Sequence, residues 1–138
     1  MRQPGRLDRD VEWVAREKLK DLAKEAHVAI VVIDAAQGVT ELDATIAGMA
    51  LDFGLSVVIA SNKWDKMHGD DADDMFKHLE RTTDLKMEFI KWCPWVKISA
   101  LTGKGLSELL KTVEKVIEGR KGRVQTSKPV SYTHLLAH

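Results

Sequence analysis

The sequence predicts an α/β fold in which three parallel strands carry helices on both faces. Three apolar runs supply the strands: His27-Val28-Ala29-Ile30-Val31-Val32-Ile33-Asp34, Ser56 to Ala60, and the shorter Trp95-Val96-Lys97-Ile98. The first two are nearly continuous rather than alternating, as a parallel strand covered on both faces requires. Between the runs lie stretches with apolar residues at helical spacing, long enough for crossover connections and too long for hairpins. The resulting order is α-β-α-β-α-β-α, and right-handed crossovers then place helices on both sides of one sheet.

Each element has its own local reason. Asp8 or Asp10 can cap a first helix, whose stripe is Val11, Val14, Ala15, Leu19, Leu22, Ala23 and Ala26. After the first strand, Gln37-Gly38 makes a turn. Thr40 then caps a second helix facing inward through Leu42, Ile46, Met49, Ala50 and Phe53, and Gly54 closes it. A third helix is expected from about Asp71 to Phe89, with Ala72, Met75, Phe76 and Leu79 inward. The last helix starts near Leu106 and presents Leu109, Leu110, Val113, Val116 and Ile117.

Composition bounds the function without naming it. A chain of 138 residues that is 44% hydrophobic suits one domain, and a formal net charge of zero gives no pull toward nucleic acid or membrane. With no run of 18 apolar residues, a cytoplasmic protein without a membrane partner is expected. The single cysteine, Cys93, lies between Trp92 and Pro94 and reads as a packed thiol rather than a nucleophile. Asp70, Asp71, Asp73 and Asp74 lack metal-ligand spacing and read as a solvated helix start, favoured by the helix dipole. His68 and His78 read as surface residues, and Lys111, Lys115, Arg120, Lys121 and Arg123 as a solvated basic face.

The chemistry concentrates in two loops. Asn62-Lys63-Trp64-Asp65 follows the second strand, at the carboxyl end where open α/β sheets bind ligands. A carboxylate there can accept two hydrogen bonds from a flat ring, and guanine offers such a pair in N1–H and its exocyclic amine. Adenine has a lone pair at N1 and is repelled. One βα unit on, Ser99-Ala100-Leu101-Thr102-Gly103-Lys104-Gly105 follows the third strand. Small side chains at Ser99 and Ala100 let a ring lie against the backbone; the two residues can orient Asp65, and the Ala100 amide can donate to O6. Asn62 can tie the loop to its neighbours, and the methylene stem of Lys63 can cover the base plane. Trp64 is expected to turn outward or onto the next helix.

Together these loops resemble the base-recognition half of a translation-factor-type GTPase domain. Val32-Ile33-Asp34-Ala35-Ala36-Gln37-Gly38-Val39-Thr40, Asp43, Ile46-Ala47-Gly48 and Val58-Ile59-Ala60-Ser61-Asn62-Lys63-Trp64-Asp65 narrow the likeness to the Der/EngA family, between about Gly5 and Lys128. The resemblance implies a partial P-loop NTPase (Ras-like) domain from the second of two tandem GTPase domains, followed by a KH-like domain. It implies a GTP/GDP ligand held here through guanine contacts of Asn62, Lys63, Asp65, Ser99 and Ala100. For the full-length family it implies magnesium, GTP hydrolysis and a role in assembling the large ribosomal subunit, with ribosomal RNA near the basic last helix. On this reading residues 1–122 are the carboxyl-terminal portion of the GTPase domain and 123–128 begin a linker. Residues 129–138 then form a non-native or disordered tail.

The sequence contains no G-x-x-x-x-G-K-[ST] loop and no D-x-x-G ahead of the first helix. Both motifs serve phosphate and magnesium. The chain is therefore expected to begin past them, to carry no catalytic or metal-ligating residues, and to hydrolyse nothing alone. The alternatives are an inactive truncated product or a weak guanine-binding module. The first strand is expected to expose an apolar edge open to self-association.

Overall fold

The structure is a computed structural model describing residues 6–126, with side chains described for residues 9–121. Its elements are α1 (Arg6–Leu22), β1 (Val28–Asp34), α2 (Glu41–Asp52), β2 (Ser56–Asn62), α3 (Ala72–Lys86), β3 (Trp95–Lys97) and α4 (Leu106–Thr126). One-turn 3-10 helices at Trp64–Lys66 and Glu88–Ile90 complete the order. The strands form one parallel sheet ordered β1-β2-β3, with Val28 paired to Ser56 and Asp34 to Asn62. The expected tail at 129–138 lies outside the described residues, and α4 continues through 123–126 of the expected linker.

β2 runs two residues past its apolar core, because as the central strand it is held from both sides. The Ile98 amide donates to Ser61 O at 2.8 Å, and the Ala35 amide to Asn62 O at 2.8 Å. Asp8 and Asp10 lie inside α1, so neither stands at its N-cap position. Thr40 does cap α2: its hydroxyl accepts from the Asp43 amide at 3.1 Å while the Asp43 carboxylate accepts from the Thr40 amide at 2.9 Å.

The sheet's alternating side chains feed two cores. On one face Val31, Ile33, Val57 and Ile59 meet Ala47 and Ala50 of α2 and Leu79 of α3, with Met87, Ile90 and Cys93 closing the layer. Burial pushes the Cys93 thiol up to about 11, so at neutral pH it is an inert packing group. On the other face Val58, Ala60, Val96 and Ile98 meet Leu109 of α4, backed by Val113 and Val116.

The second face departs from expectation. α4 covers β2 and β3 and reaches Val28 of β1, but leaves Ile30 42% and Val32 55% exposed, so among the described residues β1 is open on this side beyond Val28. In α1, Val11, Val14 and Leu22 are exposed; in α4, Leu106 and Leu110 are exposed against the expectation. Arg120 is not part of a free basic face. Its guanidinium donates to Gly54 O at 2.8 Å and Ser56 Oγ at 3.1 Å, tying α4 to the start of β2. Among the described residues, no helix is long and apolar enough to cross a membrane.

Candidate functional site

At the carboxyl end of the sheet, the chain leaves β2 through Asn62 and turns sharply at Lys63, whose φ of 72° and ψ of 30° are left-handed. Lys63 is the one non-glycine residue with positive φ among the described residues. That conformation costs on the order of 1–3 kcal/mol and persists where surrounding contacts over-determine it. The turn throws Trp64–Lys66 into a 3-10 helix, anchored by the Trp64 amide on Ile98 O at 3.3 Å. Trp64 itself faces α3. Its ring lies 6.1 Å from that of Phe76, and the Lys97 ammonium sits 4.7 Å above it. Its indole thus braces the loop from behind.

Two side-chain hydrogen bonds join this loop to the one after β3. Ser99 Oγ donates to Asp65 Oδ1 at 2.7 Å, and the Ala100 amide donates to Asn62 Oδ1 at 2.9 Å. Ser99 is only 2% exposed. Its hydroxyl also accepts from the Thr102 amide at 3.2 Å, while its backbone receives Gly103 N–H at 2.8 Å and donates to Lys104 O at 2.9 Å. The loop is therefore a closed knot of short bonds around Ser99. Because only the oxygen of an Asn side chain can accept a hydrogen bond, the Ala100 contact fixes the Asn62 orientation and leaves its NH₂ as a donor. Asp65 is half-buried, and among the described residues nothing donates to its Oδ2.

Lys63 reaches across to β1. Its Nζ lies 2.8 Å from Asp34 Oδ2, while Asp34 Oδ1 accepts from the Ala36 and Gln37 amides at 2.9 and 3.1 Å. Burial alone would raise the Asp34 carboxyl. The Lys63 ammonium and the two amides outweigh it and hold Asp34 below the usual carboxylate range. The hydrogen bond to Asp34 raises Lys63 in turn. Asp34 was not among the residues singled out from sequence. Its signal was there: strands in parallel register end side by side, and Asp34 pairs with Asn62.

The structure thus gathers Asn62, Lys63, Asp65, Ser99 and Ala100 at one end of the sheet, with Asp34 beside them. The Ala100 amide is engaged by Asn62 rather than standing open. His78, expected at the surface, bonds through Nε2 to Gln37 O at 2.9 Å. The Val39 amide donates to Thr82 Oγ1 at 2.9 Å, so α3 holds the loop after β1 at two points. Among the described residues no three His, Cys, Asp or Glu side chains converge on a cation position.

Residues 16–119 match the family described as the elongation factor Tu GTP binding domain. The chain is 35% identical over 127 residues to a protein named GTPase Der from Stenotrophomonas maltophilia, covering 92% of this chain and 26% of the relative. Similar proteins of the same name occur in Acinetobacter baumannii, 35% identical over 128 residues, and Chromobacterium violaceum, 30% identical over 128 residues. For both of these the match takes in 93% of this chain and 26% of the relative. The chain spans about a quarter of the length of the curated relatives it matches.

Proposed function

Because this chain belongs to the elongation factor Tu GTP-binding domain family, as a Der/EngA-type GTPase sequence with part of the P-loop NTPase fold, we propose that its two cross-linked loops select guanine. The Ser99–Asp65 hydrogen bond of 2.7 Å carries the reading. It fixes a half-buried carboxylate by one oxygen and leaves the other to a ligand. Guanine N1–H and its exocyclic amine donate to Asp65, and the Asn62 NH₂ is a donor for the five-membered ring's N7. The Ala100 amide donates to O6, its hydrogen then shared between O6 and its present acceptor, Asn62 Oδ1. The Lys63 stem lies along the ring. Adenine meets Asp65 with a lone pair and leaves it unpaired; discrimination on such grounds reaches about 10⁴-fold.

Calorimetry with guanosine, adenosine and GTP tests this. Guanosine is expected to bind and adenosine not to. GTP is expected to gain at most a few-fold over guanosine, since the sequence holds no phosphate-cradling loop. Equal binding of the two nucleosides would sink the guanine reading. A large advantage for GTP would reveal a phosphate site within this chain.

Wider activities attach to the full-length protein. From the likeness to the Der GTPases we carry over GTP hydrolysis to GDP, magnesium dependence, action on the large ribosomal subunit in the cytoplasm and contact with its RNA. Each is a proposal about that longer protein. In such enzymes nearly all of the rate comes from positioning and charge stabilisation at the γ-phosphate. The groups described here act on the base, so the chain alone is assigned recognition without turnover.

A second reading concerns association, and the exposed flank of β1 favours it. The strand has a free hydrogen-bonding edge among the described strands, and Ile30 and Val32 lie open beside it. Such an edge is a template for another strand. The isolated chain is expected to self-associate with rising concentration, and Val32→Lys to shift it to monomer in sedimentation. A monomeric, sharply melting chain at all concentrations would exclude this.

A further inference from the structure

We infer that Asp34 is a positioning residue for the base: it aims the stem of Lys63 across the slot and couples the loop after β1 to guanine recognition. This rests on the guanine reading above. The geometry has three parts. Lys63 holds a left-handed backbone that points its side chain off the end of β2. Its ammonium is then caught at 2.8 Å by the carboxylate at the end of the neighbouring strand. That carboxylate is in turn locked by the Ala36 and Gln37 amides, so it has no freedom to follow the lysine. A flexible four-carbon stem is thereby stretched between two fixed points along the rim where the base would lie.

The pair is partly open, at 44% side-chain exposure for Lys63 and 27% for Asp34, so its contribution to stability is small. Its effect is directional. A stem already laid out loses less freedom when a ring settles against it than one that must be ordered on binding.

Asp34→Asn separates the two jobs of the side chain. An amide oxygen still accepts from Ala36 and Gln37, while the anionic partner of Lys63 is gone. Lys63→Met keeps an unbranched stem and removes the ammonium. Guanosine affinity by calorimetry is expected to fall roughly 5- to 10-fold in each, and no further in the double variant, because both cut the same link. The guanosine-to-inosine ratio is expected to stay unchanged in all three, since the amine that inosine lacks is read by Asp65. A local collapse would erode both quantities. Unaltered affinity in Asp34→Asn, or losses that multiply in the double variant, would overturn the inference while leaving the guanine slot standing. Absence of guanosine binding by the unaltered chain would overturn both.

Discussion

Asp65→Asn is expected to exchange guanine for xanthine. Ser99 Oγ donates to Asp65 Oδ1 at 2.7 Å, and in the variant the amide oxygen keeps that place because the hydroxyl is a donor there. The NH₂ then occupies the Oδ2 position and faces the exocyclic group of the base. Guanine presents an amine at that position, so two donors confront each other. Xanthine presents a carbonyl, and the hydrogen bond is restored. Hydrogen bonds to a charged group contribute about 1.5–3 kcal/mol, and a buried mismatch removes the bond and leaves a donor unpaired. Guanosine affinity is therefore expected to fall by on the order of 10²-fold or more, with xanthosine rising past it. Paired titrations of the two nucleosides give the result directly. Unchanged affinities for both would remove Asp65 from the site. Losses for both, with an unchanged melting temperature, would keep Asp65 in the site but reject this orientation of its carboxylate.

How much of this was legible in sequence depended on whether the signal was local. β1 and β2 announced themselves as apolar runs, and Thr40 with Asp43 announced the start of α2, because strand burial and capping are decided within a few residues. The parallel order followed from crossover lengths. Burial was harder. Ile30 and Val32 have the side chains of a doubly covered strand, but apolarity says what a residue could bury and not whether a partner lies over it. α4 lies over Val58, Ala60 and Val96 and stops short of them. The same reasoning left Leu110 on a predicted inner face that the structure leaves open.

The site shows the same division. The two loop motifs could be read separately, and parallel order put them at one end of the sheet. That Ser99 would orient Asp65 and that Asn62 would tie its loop to a neighbour could also be read, and the hydrogen bond from Ser99 to Asp65 is there; the remaining partners could not. That the Ala100 amide would meet Asn62, or that Lys63 would span to Asp34, depends on side-chain directions across strands distant in sequence. Arg120, counted from sequence as one more solvated cation, is committed to a carbonyl and a hydroxyl 64 or more residues away.

Gly105→Ala is expected to be the most damaging glycine-to-alanine change among the described residues. Gly105 has a φ of +85°, and a Cβ there would overlap the Lys97 carbonyl oxygen and lie 3.1 Å from Ile98 Cα. Both obstacles are backbone, so neither can rotate away. The positive φ costs about 1–2 kcal/mol for an L side chain, and forcing the overlap apart adds about 1–3 kcal/mol. Gly103 supplies the control. Its φ is +81°, yet a Cβ there would meet nothing within 4 Å, so Gly103→Ala carries only the backbone penalty. The gap between the two variants in a thermal or denaturant melt therefore measures the close approach of the loop to β3. The change also reaches the ligand. Gly105 O accepts from the Leu109 amide at 3.0 Å, so displacing it shifts the first turn of α4 and the knot that holds Ser99 against Asp65. Gly105→Ala is expected to lose guanosine binding along with stability, and Gly103→Ala to keep most of both. Equal melts for the two variants would show that β3 yields where the geometry says it cannot.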